Sequence, residues 1–325
     1  MGDAAPSPSA STAGSPGEAA APDTTPEQLA ELSLRAATTD ARATSPGDAV
    51  VEAVKAARRG EPVPADLQPS MRRLDRDLGD LGACDYSTST RRLCPRGDRD
   101  AKRVAVVLGD SHGRFWIPAL DAIGARDGWR IYYLVKQQCT AAHVMVAQIG
   151  SGKRFTACRD FHRWADRQVE RLDPRLVVVS TSAPSGGVWV GGRRVTDAEG
   201  VRAEMRRGYQ RLVEAVRPDT RRLVLLRDVP RVGFDPQPCL SDSSNDLGDC
   251  LQRPGKASEQ MNQVPVGVFR QRRLPVVDTR RWVCWDGQCP AVVGNVVTYR
   301  DRGHLTASYT ATLSGAVGRA LRMTG

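Results

Sequence analysis

Five short runs of aliphatic, largely β-branched residues punctuate the chain, and between them apolar residues recur at helical spacing. The runs are Val104–Leu108, Arg130–Val135, Leu176–Ser180, Arg222–Leu226 and Leu274–Val277. Continuous rather than alternating hydrophobicity marks a strand buried on both faces. Trp116–Ile123, Phe161–Leu172 and Ala198–Val216 supply helical spacing between successive runs, and Ala307–Arg322 closes the chain as an amphipathic helix. Strands that alternate with helices pair in parallel, because each crossover returns the chain to the same end of the sheet. The fold class is therefore α/β, with a central parallel sheet of about five strands covered on both faces. Such sheets bind ligands beyond the carboxyl ends of their strands, so the residues just after each run are the first to read for chemistry.

The flanks read differently. Residues 1–45 are Ala, Pro, Ser, Thr and Gly with few large side chains, too little apolar surface to offset the entropy of ordering. That segment is expected to be disordered, apart from a short helix near Pro26–Ala37. Residues 46–100 read as an extension bracing the main domain of residues 101–325, with a helix over Asp48–Arg59 that Gly60, Pro62 and Pro64 bring to an end. No run approaches the ~20 apolar residues a membrane helix needs. Met1 leads into no basic and apolar leader, so export is expected to depend on a portion outside this chain. The net charge of +10 comes from arginines scattered along the sequence. Without a basic stripe interleaved with aromatics or a zinc finger, it reads as a solvated surface rather than a nucleic-acid site.

The 8 cysteines fall as sequence neighbours: Cys84 with Cys94, Cys139 with Cys158, Cys239 with Cys250, Cys284 with Cys289. Spacing alone does not fix the connectivity, and buried free thiols are the alternative. No C-x-x-C pair or Cys/His cluster of metal spacing is present, and no metal or cofactor is expected. An even number in Gly-, Pro- and Asp-rich surroundings favours disulfides and an oxidising compartment.

Gly109-Asp110-Ser111-His112 follows the first run directly. A serine on a strand-to-helix turn stands at the open edge of the sheet, where helix-start N–H groups can meet a developing oxyanion. Asp and Ser are also ordinary helix caps, so the tetrapeptide alone leaves that bland reading open. A serine hydroxyl needs a neutral imidazole to take its proton, and the imidazole needs a carboxylate to fix its tautomer. Among 4 histidines, His304 has Asp301 three residues before it, whereas His143 and His162 flank the Cys139–Cys158 segment and read as structural. The expected triad is Ser111, His304 and Asp301.

Gly109-Asp110-Ser111-His112 together with Asp301-x-x-His304 resembles the first and last blocks of the SGNH hydrolase superfamily. Val63–Ser70, Leu108–Leu120, Cys289–Asn295 and Tyr299–Thr306 narrow the resemblance to the C-terminal SGNH domain of bacterial acyltransferase-3 proteins. The resemblance implies a three-layer α/β/α, flavodoxin-like fold, an outward-facing compartment and paired cysteines. It further implies a membrane acyltransferase portion, not contained in this chain, as partner, and acyl transfer from an acyl donor to a cell-surface glycan acceptor. An esterase and a non-catalytic glycan-positioning module are the alternatives. The superfamily's third-block asparagine has no counterpart after the third run, where Ser180-Thr181-Ser182 stands, so Thr181 and Ser182 become candidate oxyanion or substrate-binding residues. Gly109, Asp110 and His112 join them, with Gly150 (or its neighbour Gly152) as candidate second-block glycine. Trp116, Trp189, Trp282 and Trp285 are candidates for a sugar platform, with core packing as the competing role.

Overall fold

A computed structural model describes residue 31 and residues 45–88 and 91–324. The expected disorder over 1–45 and the helix near 26–37 lie, but for Glu31 and Ser45, outside the described residues. The main sheet contains β1 (Arg96–Gly97), β2 (Arg103–Gly109), β3 (Trp129–Val135), β4 (Leu176–Ser180), β5 (Leu223–Leu226) and β6 (Val276–Val277). Their spatial order is β1-β3-β2-β4-β5-β6. Only β1 runs antiparallel to its neighbour.

Period-two side-chain alternation divides β2 between two cores. Val104, Val106 and Leu108 pack with Phe161, Trp164, Tyr209 and Phe269 of α4 (Thr156–Leu172), α5 (Ala198–Val216) and α6 (Lys256–Gln271). Ala105 and Val107 face the other way, toward Leu120 and Ile123 of α3 (Ile117–Asp127) and Val317 of α8 (Ser314–Ala320). Both faces being covered explains why the strands read as unbroken apolar runs.

All five expected strands are in the sheet, and the differences have local causes. Leu274 and Pro275 stay outside β6, where Pro275 has no N–H to donate but accepts from Leu225. The helix α6 carries Pro265 in its interior, which breaks the pattern by which it would have been read. The closing helix divides at Leu313 into α7 (Ala307–Thr312) and α8. The sheet also begins before residue 101, because β1 lies within the stretch read as extension.

That extension is stitched into the fold. Its helix α1 (Pro46–Arg58) carries a capping box at Ser45 and Asp48. Leu74 joins Leu240, Cys250, Ala291, Val292 and Val297 in a small third core. The Gln68 N–H donates to the Asn295 carbonyl at 2.9 Å and the Val297 N–H to the Gln68 carbonyl at 2.8 Å. Asp77 accepts from the Ser308 N–H at 3.0 Å, and its carbonyl from the Ala307 N–H at 3.2 Å. All 8 cysteines are paired, as sequence neighbours: Cys84–Cys94, Cys139–Cys158, Cys239–Cys250 and Cys284–Cys289. Among the described residues no helix is long and apolar enough to cross a membrane.

Candidate active site

Strand β2 ends at Gly109, and a one-turn helix α2 (Ser111–Arg114) starts immediately beyond it. A Cβ on Gly109 would lie 1.9 Å from the Ser180 carbonyl oxygen, and one on Gly113 2.8 Å from a Val135 methyl. Glycine at both positions lets α2 sit directly on the carboxyl ends of β2, β3 and β4. The tight path needed there is thus one of close backbone approach, not of unusual φ. Asp110 caps α2, accepting from the His112 N–H at 2.8 Å.

Ser111, first residue of α2, has its Oγ 2.8 Å from Nε2 of His304. His304 Nδ1 is 2.8 Å and 2.9 Å from the two carboxylate oxygens of Asp301. The segment carrying both closes on itself: the Arg300 N–H donates to the His304 carbonyl, and Tyr299 and Leu305 form an antiparallel bridge. The N–H groups of Gly303 and His304 donate to Asp301 Oδ1 at 2.8 and 2.9 Å. Burial opposes ionisation of Asp301, but the His304 hydrogen bond, the imidazole's charge and those two N–H donors outweigh it. The carboxyl is held well below the usual carboxylate range, so it stays an acceptor for the Nδ1 proton. The structure therefore brings the three residues of the expected triad into one chain of hydrogen bonds.

The other expected site residues are placed differently. Asp110 is buried and accepts from the Thr181 hydroxyl at 2.9 Å, the Ser182 N–H at 3.0 Å and the Ser182 hydroxyl at 2.9 Å. Thr181 and Ser182, read as stand-ins for an oxyanion asparagine, thus commit these donors to Asp110. His112 turns into the core, its Nδ1 2.6 Å from Asp228 Oδ1, with its ring centroid 4.6 Å from that of His304. Burial works against charge on His112, yet Asp228, with Asp110 and Asp301 beyond, outweighs it and the net direction is upward. Asp228 is itself pushed up by burial, against the pull of His112. Gly150 does not line the cleft around Ser111: it sits on a turn with open space where a side chain would be. Gly152 faces Arg194 instead.

The tryptophans are not a platform in that cleft. Trp116 and Trp282 are buried, Trp189 stacks under Arg154 and Trp285 under Arg58. His162 is buried against the Cys139–Cys158 bridge, its Nε2–H donating to the Thr140 carbonyl at 2.8 Å, and burial lowers its pKa to about 4. His143 stacks on it. The cleft itself, about 230 Å³, opens above Ser111 and His304 and is lined on its rims by Leu78, Gln137, Ile149, Arg114, Arg231 and Arg300. Asp228 and the three arginines escaped the sequence reading. Asp228 stands two residues beyond β5, the same kind of strand-end position that singled out Ser111.

A serine at the first strand–helix turn of a parallel sheet, bonded to an Asp-x-x-His pair from the last loop, defines the SGNH class of α/β fold. Residues 81–318 match the family described as the SGNH domain fused to AT3 domains, and the chain belongs to it. Among solved structures, the periplasmic domain of a lipopolysaccharide acetyltransferase from Salmonella ser. Paratyphi A is similar, at 16% identity and a TM-score of 0.50. That match covers 68% of this chain and 84% of the other. Est24, a carbohydrate acetylesterase from Sinorhizobium meliloti, matches at 11% identity and a TM-score of 0.42, over 68% of this chain and 99% of its own. No curated protein matches the sequence.

Proposed function

We propose that this domain moves a short acyl group, such as acetyl, through an acyl-serine intermediate on Ser111. The observation that supports it most is the unbroken line from Asp301 through His304 to the Ser111 hydroxyl, with 2.8 Å at the last step. His304 Nε2 takes the Ser111 proton as Oγ attacks the acyl carbonyl carbon. The Ser111 N–H, at the start of α2, is the first candidate to meet the oxyanion. As the tetrahedral intermediate collapses, the proton passes from His304 to the leaving oxygen. An acceptor hydroxyl then gives its own proton to His304 and attacks the acyl-serine. Asp301 remains ionised throughout and stabilises the imidazolium between these steps.

Family membership supports a membrane acyltransferase domain as source of the acyl group and a cell-surface glycan as acceptor. The four disulfides support an extracytoplasmic setting. With water in place of the glycan hydroxyl the same residues perform hydrolysis, and the open cleft admits it. A serine-directed fluorophosphonate should label Ser111 in the parent and fail to label His304→Ala. Equal labelling of both would overturn the assignment. Release of acetate from a chromogenic ester, with and without added glycan, separates transfer from hydrolysis.

A further inference from the structure

Three arginines, Arg114, Arg231 and Arg300, line the cleft around Ser111, and Asp110 is its only acidic lining residue among those described. Asp110 is buried and already accepts from His112, Thr181 and Ser182, so it offers little to a ligand. Arg114 is tied down, donating to the Gly79 carbonyl at 2.6 Å with Asp85 3.9 Å away. Arg300 donates to the Asp75 carbonyl at 3.1 Å and lies 3.4 Å from Asp301. Arg231 differs from both. Its guanidinium has no hydrogen-bond or ion-pair partner among the described residues, and the residue is exposed.

The backbone of Arg231 is nonetheless fixed. Its N–H donates to Ser258 Oγ at 3.1 Å, its carbonyl accepts from Gly255 at 2.8 Å, and the next N–H, of Val232, donates to the Arg302 carbonyl at 2.8 Å. The side chain lies across Gly303: a Cβ there would come within 3.2 Å of the guanidinium. Gly303 adjoins His304, so a clamped backbone holds an uncommitted cation beside the base. A guanidinium offers a planar fork of donors that fits a carboxylate or phosphate. The protein's net charge of +10 adds a long-range bias toward anionic polymers.

From this geometry we infer that the cleft selects a glycan unit bearing an anionic group, carboxylate or phosphate, near the acylated hydroxyl, and that Arg231 recognises it. The inference rests on reading the cleft as the seat of the glycan. By reversal of the transfer step, a sugar that accepts the acyl group must also leave from its acetylated form through the same subsite.

The test uses mono-O-acetylated methyl glucuronosides against the matching glucuronamides, which differ in charge but hardly in shape, with acetylated methyl glucoside 6-phosphates as a third arm. The parent protein should prefer one anionic series over the amide by about tenfold or more in kcat/KM, the scale of one charge-assisted hydrogen bond. Arg231→Gln should bring that ratio close to one, and Arg231→Lys should keep part of it. Whichever anion shows the larger ratio is the group recognised. A parent ratio near one in both series, or one unchanged in Arg231→Gln, overturns the inference. Calorimetric binding of the unacetylated glucuronoside and glucuronamide to Ser111→Ala reads the same preference without catalysis. Turnover of p-nitrophenyl acetate without any anion preference would sink this inference and leave acyl transfer standing. Binding preference without any ester turnover would do the reverse.

Discussion

Two histidine–carboxylate pairs stand side by side, one carried beyond the ends of β2 and β5 and the other by the last loop, and water separates their fates. His304 and Asp301 have side chains 24% and 40% exposed, whereas His112 and Asp228 are 2% and 6% exposed. The chemical groups are the same and their rings are neighbours. At the cleft, Asp301 is fed by backbone N–H donors and held low, which suits its histidine to the proposed role of base toward Ser111. In the core, burial raises Asp228 while Asp228 raises His112, so the proton between them is held in place. On the proposed reading, the exposed pair is the base and the dry pair braces the structure.

The sharpest way to break this contrast is to remove the reactive half. Ser111→Ala or His304→Ala should lower ester turnover by on the order of 10⁴-fold or more with little change in melting temperature. Asp301→Asn should lose somewhat less, approaching 10⁴-fold, because the imidazole then favours the wrong tautomer. On the buried side the signature inverts. Asp228→Asn should cost about 3–5 kcal/mol in urea unfolding, since it leaves a buried partner uncompensated. Its kcat, measured in the cold where the variant stays folded, should fall less than tenfold. A loss as large as that of Asp301→Asn would place the buried pair in the chemistry and end the contrast.

Smaller effects sharpen it. The Cys139–Cys158 bridge closes the longest loop, 19 residues, and precedes Thr140, whose hydroxyl contacts Thr181 at 3.2 Å behind Asp110. Replacing both cysteines by serine should cost about 3 kcal/mol and leave kcat within a few-fold. Last comes pH. A histidine raised in the fold, as His112 is, contributes stability that is complete below about pH 6.5 and disappears as pH climbs through its native value. The stability gap between the parent and Asp228→Asn should therefore narrow from pH 6 to pH 9 in urea melts. Asp301, lowered in the fold, contributes the opposite way: present above about pH 3.9 and lost only in stronger acid. A gap that stays flat across that range would show that the buried pair carries no proton of consequence.

The sheet was legible because burial on both faces writes an unbroken apolar run, and each of the five runs lies in it. The proposed nucleophile was legible because a strand end is a place as well as a sequence, and Ser111 follows one directly. What escaped depended on partners far along the chain. Thr181 and Ser182 look like free hydroxyl donors until Asp110 folds against them, 71 and 72 residues away. Asp228 gains its role only from His112, 116 residues distant. Arg231 is one of many arginines, and its place in the cleft beside Gly303 sets it apart. The neighbour pairing of the cysteines could be read because each bridge spans a short loop, whereas α6 was hidden by a proline that its buried surroundings tolerate.

The strap formed by Asp75 and Asp77 reaches the histidine-bearing loop from outside the stretch by which the family is recognised, which begins at residue 81. A fragment trimmed to that stretch would keep every reactive side chain and lose the anchors of Arg300, Ala307 and Ser308. The loop of the proposed base would keep its Tyr299–Leu305 bridge and its Val232–Arg302 bond but lose three bonds that brace it from outside. The functional unit is therefore longer at its amino end than its signature, and pieces cut for biochemistry should begin no later than Ser45.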